Sequence, residues 1–509
     1  MKPTDNRTSK PAGKPKPKPN FAQSQPAGRK GQAPAGTGKP RPGAAKSAPA
    51  GKDNRRPPTA RELALDVLTR VETEGAYSNL LLNQALQRSR PDKPDAALAT
   101  ELVYGTIQRR NTIDYFLDRF VAKGVAKLEP WVRNLLRLSF YQLHNLDRIP
   151  EHAAVNEAVN IAKRKGHAGI SGMVNGVLRN VIRRKSELTV PAGLPAVSRI
   201  ALEHSHPEWL VADWIRRFGE ETAESVCRSN NEPPHTSVRV NALKLSRDEL
   251  LERLASAGCE ARPSALSGAG VIVAGGGNMA LTPWYAGGEL SVQDESSMLV
   301  AEMVDARPGM SVLDCCAAPG GKTAHMAERM NDTGRIVACD IHEHKRALIE
   351  EQAKRLGLRS VETRTIDARK LAETFGGGAA FDRILLDAPC SGLGVIRRKP
   401  DIKWAKRPED VAEIAALQRE LLAGVAGLLA PGGVLVYSTC TIAEEENERV
   451  VESFLRDHPA FEPDMPPVEL LDRLPKDVVG ASGAVTILPH RFGSDGFFIA
   501  RLRRKSERH

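Results

Sequence analysis

The sequence predicts a multidomain protein with three folded parts: an all-α domain, a small α/β (α+β) module and a C-terminal, doubly wound α/β domain. Three observations support this prediction. Apolar residues recur at helical spacing from Thr59 onward, short β-rich runs begin at Ser237, and strands alternate with helices from Ser311 to Thr441. At about 150 residues per domain, a chain of 509 residues has room for three or four such units.

The first 58 residues differ in composition from everything that follows. They hold 14 Lys and Arg against two Asp, a net charge of +12, whereas the rest of the chain carries −1. Twelve of the 35 prolines also lie here, and apolar residues are scarce. We therefore predict that residues 1–58 form a disordered basic tail. Such a tail either attracts RNA through its charge or only adds solubility, and its composition leaves both readings open.

Residues 59–190 are expected to form the all-α domain. Trp131, Leu135 and Leu138 follow the helical period, and Pro150 marks the start of a later helix. Residues 191–290 are expected to form the small module, in which the runs SVRVN and GVIVAG are strands that flank a helix beginning at Arg247. The C-terminal domain then covers residues 291–506.

The C-terminal domain is expected to contain a parallel sheet. Its strands, which include SVLDCC, IVACD, RILLD and VLVYSTC, are nearly continuous apolar runs separated by helical segments. Strands of this composition are typical of parallel sheets that helices cover on both faces.

Composition excludes several classes of protein. The chain has no run of about 18 uncharged apolar residues, so we expect no membrane association and a cytoplasmic location. Its seven cysteines show no CxxC spacing, which argues against a disulfide framework and against a zinc site. We expect free thiols and no metal.

The segment LDCCAAPGGKT, at the end of the first strand, has the character of a cofactor loop. Gly320 and Gly321 allow close approach of a ligand, and Asp340 ends the next strand, where a carboxylate binds the ribose of a nucleoside. A phosphate-binding P-loop is disfavoured because Cys316 stands where that motif needs glycine, and the dinucleotide fingerprint GxGxxG is absent. A cofactor with one nucleoside and no pyrophosphate fits better, which indicates S-adenosylmethionine.

Two further strands end in cysteine, Cys390 after Asp387 and Cys440 after VYST. The carboxyl ends of parallel strands are where such sheets place their sites. A thiol beside a methyl donor has a chemical use, because a thiolate that adds to C6 of cytosine makes C5 nucleophilic. Asp387 would hydrogen-bond the amino group and N3 of that base. The residues alone do not decide which thiol attacks.

Together, LDCCAAPGGKT, LDAPCSGLG followed by RRKPDIKW, and VYSTCT followed by EEEN resemble the RNA cytosine-C5 methyltransferases of the Nol1/Nop2/Sun family. The N-terminal segments ELVYGTIQRR and VNGVLRN resemble the antitermination factor NusB, and HPEWLV with NNEPP resembles the linking segment of the bacterial Sun subgroup, which acts on 16S rRNA. The resemblance implies a NusB-like RNA-binding domain and a Rossmann-like methyltransferase domain.

The resemblance also assigns roles to residues. It makes Cys440 the nucleophile, gives Cys390 a part in releasing the methylated RNA, and keeps Asp387 in the catalytic site. The residues that it places around S-adenosylmethionine are Cys316, Ala317, Ala318, Pro319, Gly320, Gly321, Lys322, Asp340, Asp367 and Asp387.

A basic segment follows the Pro-Cys motif directly and is expected to contact RNA phosphates and bases. The residues predicted to do so are Arg397, Arg398, Lys399, Lys403 and Trp404. The sequence thus predicts a methyltransferase that forms 5-methylcytosine in 16S rRNA, with no protein partner implied. A non-catalytic RNA-binding or ribosome-assembly factor is the alternative, and 23S rRNA, tRNA or DNA are alternative substrates.

Overall fold

The computed structural model describes residues 57–378 and 380–506. Of the predicted basic tail, all but Pro57 and Pro58 lies outside the described residues. The described part contains no helix that is long and apolar enough to cross a membrane.

An all-α domain comes first, as the helical spacing predicts. Its first helix begins at a capping box, in which Thr59 Oγ1 accepts from the Glu62 amide and Glu62 Oε2 accepts from the Thr59 amide. The helices of this domain are α1 (Ala60–Glu74), α2 (Ser78–Ser89), α3 (Lys93–Gln108), α4 (Arg110–Leu117), α5 (Pro130–Asn145), α6 (Glu151–Lys165) and α7 (Ala168–Arg183). Helix α5 is buried along most of its length and packs against α1, α3, α4, α6 and α7, so it forms the centre of the domain.

Three helices link this domain to the rest of the chain: α8 (Ala196–Glu203), α9 (Glu208–Phe218) and α10 (Glu220–Ser229). Trp214 at their centre is fully buried, and it shares a core with Ile396 and Ile402 of the C-terminal domain. The linking helices are therefore packed between the two larger domains.

The small module is a four-stranded antiparallel sheet with the strand order β2-β3-β1-β4. Its elements are β1 (Thr236–Val240), α11 (Arg247–Ser256), β2 (Glu260–Pro263), β3 (Gly270–Ala274), α12 (Pro283–Ala286) and β4 (Leu290–Val292). Strand β4 pairs with β1, so the sheet ends at Val292, slightly beyond the predicted boundary at residue 290.

The C-terminal domain is built on an eight-stranded sheet with the order β10-β12-β9-β8-β5-β6-β7, in which β11 also pairs with β12. The strands are β5 (Ser311–Asp314), β6 (Arg335–Asp340), β7 (Val361–Thr365), β8 (Phe381–Asp387), β9 (Leu429–Thr439), β10 (Phe461–Asp464), β11 (Val485–Ile487) and β12 (Phe497–Arg504). Strands β9, β8, β5, β6 and β7 are parallel, which confirms the predicted α/β core.

The sheet is mixed rather than wholly parallel, which corrects the sequence-based expectation. Strands β10, β11 and β12 are antiparallel and cover the β9 side of the sheet. Strand β12 was not predicted because it ends in the arginine-rich run RLRR. Arg501 and Arg503 fit into the sheet because both pair with Asp464 of β10, at 2.6 and 2.8 Å.

The helices of this domain are α13 (Glu295–Val304), α14 (Gly321–Arg329), α15 (Glu343–Leu356), α16 (Leu371–Thr374), α17 (Ile402–Ala405), α18 (Pro408–Ala426), α19 (Glu448–Asp457), α20 (Val468–Leu471) and α21 (Pro489–Phe492). Helix α18 ends at Ala426, and β9 begins at Leu429.

Candidate active site

The order in which the chain adds parallel strands to the sheet reverses at β5. From β5 the strands run outward through β6 to β7, whereas β8 and β9 lie on the other side of β5. At such a point the loops after neighbouring strands separate and leave a crevice at their carboxyl ends. Asp314, Asp387 and Cys440 stand at or directly after three of these strand ends, so the topology gathers them at one edge.

A cavity of about 490 Å³ opens at this edge, between the small module and the C-terminal domain. It is lined by Thr236, Ser237, Val292, Gln293, Asp294, Ser297, Pro319, Lys322, Asp387, Ala388, Val395, Arg398, Lys399, Cys440, Asp495 and Phe497. The lining therefore combines one thiol, several carboxylates and three cations, a composition suited to a polar, charged ligand.

The two strand-end thiols are in contact. The Sγ atoms of Cys390 and Cys440 lie 3.2 Å apart, and both cysteines are half-buried and free. The hydrogen bond with Cys440, together with burial, raises the pKa of the Cys390 thiol well above its ordinary value. Cys440 is the thiol that lines the cavity.

An ion pair stands beside the thiols. Lys322 Nζ lies 2.7 Å from Asp387 Oδ2, and the other carboxylate oxygen accepts a hydrogen bond of 2.8 Å from Ser438. Burial acts to lower the pKa of Lys322, but the charge of Asp387 and the hydrogen bond to it, together with the charges of Cys440 and Asp314, act in the other direction, and the net shift is upward. The cavity thus holds a lysine that stays positively charged at neutral pH.

The glycine turn before α14 lies against a neighbouring helix. Gly320 has a φ of +101°, and a Cβ at this position would lie 3.1 Å from the Cα of Ile349 in α15. Side chains are disfavoured on both counts, so the turn requires glycine.

Asp340, at the end of β6, forms a long ion pair of 3.8 Å with Lys345 Nζ. Its Oδ1 accepts a hydrogen bond of 3.0 Å from the His342 amide, while its Oδ2 has no hydrogen-bond partner among residues 57–378 and 380–506. Asp367, which caps the short helix after β7, is instead paired with Arg369 at 2.6 Å, and this pair lowers its pKa. Cys316 follows β5, the strand next to β6, and burial of its sulfur raises the pKa of its thiol. The carboxylate oxygens at this edge are acceptors of the kind that the ribose hydroxyls of a nucleoside need.

Comparison with known proteins agrees with this arrangement. A family model described as 16S rRNA methyltransferase RsmB/F matches residues 301–503. A probable ribosomal RNA small subunit methyltransferase B of Bacillus subtilis is 47% identical over 449 residues, which cover 88% of this chain and 99% of that protein. The chain belongs to the ribosomal RNA small subunit methyltransferase B family. Members of this family named in Synechocystis and Yersinia pseudotuberculosis are 36% and 34% identical over 448 and 445 residues, covering 88% and 87% of this chain and 99% and 98% of theirs.

The family assignment extends to the other domains. A model of the NusB family matches residues 58–183, and one described as an RsmF/B-like ferredoxin-like domain matches residues 206–280. The crystal structure of PH0851 aligns with a TM-score of 0.73 at 28% identity, over 87% of this chain and 99% of that one. A methyltransferase homologue from Pyrococcus horikoshii aligns with a TM-score of 0.53 at 28% identity, over 61% of this chain and 99% of that one. The all-α domain is thus a NusB domain, and S-adenosylmethionine is the methyl donor of the family.

In this member of the small subunit methyltransferase B family, the basic segment is divided between two locations. Arg398 and Lys399 line the cavity. Arg398 is bound to Asp294 at 2.8 Å and Asp495 at 3.0 Å, whereas the exposed Lys399 side chain forms no ion pair within the described part of the chain.

The other three residues of the segment do not reach the cavity. Arg397 is buried and donates to the Ser229 carbonyl at 2.9 Å, and Lys403, which is fully buried, donates to the Gln108 carbonyl at 3.0 Å. Trp404 Nε1 donates to the Ile107 carbonyl at 2.7 Å. These three side chains are already hydrogen-bonded to main-chain carbonyls of other domains, so they contribute to domain packing. The structure does not support the predicted RNA contacts of Arg397, Lys403 and Trp404.

The sequence reasoning missed several residues of the cavity. Asp294 and Asp495 position Arg398, and the Phe497 ring lies 5.2 Å from Lys322 Nζ. Asp495 and Phe497 come from the β12 region, for which no strand was predicted. The sequence contains a signal for this strand, the apolar run FFIA directly before RLRR.

Proposed function

We propose that this protein methylates C5 of a cytosine in 16S rRNA through a covalent adduct between Cys440 and C6 of the base. The observation that supports this proposal best is the pair of thiols 3.2 Å apart, with Cys440 facing the cavity that also holds Lys322 and Asp387. A site for simple methyl transfer to an amine or hydroxyl has no need of two sulfurs at its centre.

The first step is addition of the Cys440 thiolate to C6. A bond forms between sulfur and C6, the electrons of the C5–C6 double bond move to C4–C5, and those of the C4–N3 double bond move to N3, which takes up a proton from water; C5 is then an enamine carbon and nucleophilic. Asp387 is held by Lys322 and Ser438, so its carboxylate is fixed to accept hydrogen bonds from the amino group of the base and from the N–H that forms at N3. Lys322 also places a positive charge in the cavity.

The cofactor, when bound, supplies the methyl group that C5 accepts. The adduct is then released by elimination, in which the C5 proton leaves to a base, the carbon–sulfur bond breaks, and its electrons return Cys440 to the thiolate while the C5–C6 double bond re-forms. Cys390, in contact with the Cys440 sulfur, is the residue we assign to assisting this step.

The substrate assignment rests on the named relatives, which are called small subunit methyltransferases, and on the NusB domain. Lys399 is the exposed cation of the basic segment that lines the cavity, and we assign it a phosphate contact. This substrate places the reaction in the cytoplasm.

The test is methylation of purified RNA. The full-length protein is incubated with S-adenosylmethionine and with 16S rRNA, 23S rRNA or tRNA, each from a strain that lacks the gene. Nucleoside mass spectrometry should detect 5-methylcytidine in 16S rRNA only, and bisulfite sequencing should locate it at one position. Methylation of another base, or of C5 in 23S rRNA or tRNA only, would overturn the proposal.

A further inference from the structure

The loop that carries Cys390 is held by two side chains outside it. Gln418 Nε2, from α18, donates to the Pro389 carbonyl at 2.9 Å, and the Ser391 amide donates to Glu446 Oε2 at 2.8 Å. Gln418 Nε2 also donates to the same Glu446 oxygen at 3.0 Å. We call Gln418 and Glu446 the loop clasp. The clasp holds the peptide groups on both sides of Cys390.

Burying the polar side chains of the loop clasp costs desolvation free energy. Both of its side chains are fully buried, and neither Gln418 Oε1 nor Glu446 Oε1 has a hydrogen-bond partner among residues 57–378 and 380–506. Burial raises the pKa of Glu446. An apolar pair would fill the same space at a lower cost in desolvation, so fold stability alone does not account for two polar side chains here.

Cys440 is held by a different residue. Asn447 Oδ1 accepts from Thr439 Oγ1 at 2.6 Å, and Asn447 Nδ2 donates to the Thr441 carbonyl at 3.0 Å. These bonds fix the residues on both sides of Cys440 without involving the clasp. A bond of 2.9 Å between Ser391 Oγ and Thr441 Oγ1 joins the two loops. Each thiol therefore has a supporting side chain of its own, and the two loops are linked through Ser391 and Thr441.

We propose that Gln418 and Glu446 are positioning residues that hold Cys390 against Cys440 for the release of methylated RNA. This inference rests on the proposed function, in which Cys390 assists release. Because Asn447 supports Cys440 separately, loss of the clasp affects release and leaves the attack of Cys440 on the base intact.

The experiment measures formation and decay of the protein–RNA adduct on denaturing gels, with the full-length protein, 16S rRNA and S-adenosylmethionine. Glu446→Ala should form the adduct at the wild-type rate and release it about 10²-fold more slowly, the size of effect that a displacement of about 1 Å produces. Glu446→Gln should release RNA at a nearly wild-type rate, because its amide oxygen accepts the same two hydrogen bonds. Glu445→Ala, which removes a carboxylate from the adjacent, partly exposed position, is the matched control and should behave as wild type.

A second comparison separates positioning from a general structural effect. Glu446→Ala added to Cys390→Ala should slow release no further, because the clasp acts only through Cys390. Additive slowing, or slower adduct formation in Glu446→Ala, would overturn the inference. Gln418→Ala, which removes the bonds to Pro389 and to Glu446, carries the same expectation and replaces Glu446→Ala if that variant fails to fold.

The controls distinguish the two levels of the account. If Cys390→Ala turns over normally and accumulates no adduct, the proposed role of Cys390 fails. If Cys390→Ala accumulates the adduct and neither clasp variant does, the proposed function stands and the inference about the clasp is wrong.

Discussion

Two groups of charged residues have different partners: those that line the cavity at the strand ends, and those in the buried part of the basic segment after Cys390. In the cavity, Lys322 is paired with Asp387 and faces open space. In the segment, Lys403 is fully buried and donates to a main-chain carbonyl of the NusB domain, and burial lowers its pKa well below the ordinary value. A lysine in a basic run can therefore serve domain packing as readily as RNA binding.

Apart from substitutions of the two cysteines, removal of the Asp387 carboxylate should cause the largest loss of turnover. Asp387→Ala takes away the partner of Lys322 and the group assigned to the base, so turnover should fall by about 10²-fold or more. Single-turnover methyl transfer with saturating RNA measures the effect. Lys403→Met serves as the contrast, since it should leave turnover per folded molecule unchanged. Equal losses in both variants would erase the distinction between the two regions.

Trp404→Ala should affect stability rather than chemistry. The indole packs against the core of the NusB domain and donates to the Ile107 carbonyl, so its loss should cost about 2–3 kcal/mol. Urea unfolding followed by circular dichroism should show a lower midpoint, while calorimetry shows unchanged affinity for S-adenosylmethionine. A variant with wild-type stability and weakened RNA binding would return Trp404 to the role first predicted from the sequence.

Asp340→Ala tests the predicted cofactor site at the end of β6. Loss of a carboxylate that binds ribose hydroxyls costs about 1.5–3 kcal/mol, or roughly 10- to 100-fold in affinity for S-adenosylmethionine. Titration calorimetry on the folded variant gives this number directly. Asp367→Ala is a useful comparison, because Asp367 is already paired with Arg369 and should contribute less. Unchanged affinity in Asp340→Ala would refute the assignment.

The smallest effect is expected for Lys399, an exposed cation that lines the cavity. Lys399→Ala should leave the fold and the methylated position unchanged and reduce the salt dependence of RNA binding by about one phosphate contact. Binding isotherms between low and moderate salt measure this slope. Arg398→Ala should instead destabilise the protein, since it leaves Asp294 and Asp495 without their common partner. Identical slopes for wild type and Lys399→Ala would remove Lys399 from the interface.

The regions also differ in how well the sequence predicts them. Positions such as Asp387 and Cys440 could be placed because a parallel sheet brings its carboxyl strand ends to one edge, whatever the loops do. Lys403 and Trp404 could not, because their burial depends on how the NusB domain packs against α17, and no local pattern encodes that contact. The loop clasp could not be predicted for a similar reason. Gln418 is a single polar residue in an otherwise helical pattern, and its partner in the motif EEEN becomes visible only once the loops are folded.

The central claim is that the two contacting thiols have different tasks, and one gel tests it most directly. Labelled 16S rRNA and S-adenosylmethionine are added to the wild type, Cys440→Ser and Cys390→Ala, and the samples are denatured and resolved. Cys390→Ala should give a retarded protein–RNA band, whereas Cys440→Ser should give no band and no turnover, because a serine hydroxyl without a dedicated base is a weak nucleophile. A band for Cys440→Ser alone would exchange the two roles. No band in either variant, with turnover intact in both, would contradict covalent catalysis altogether.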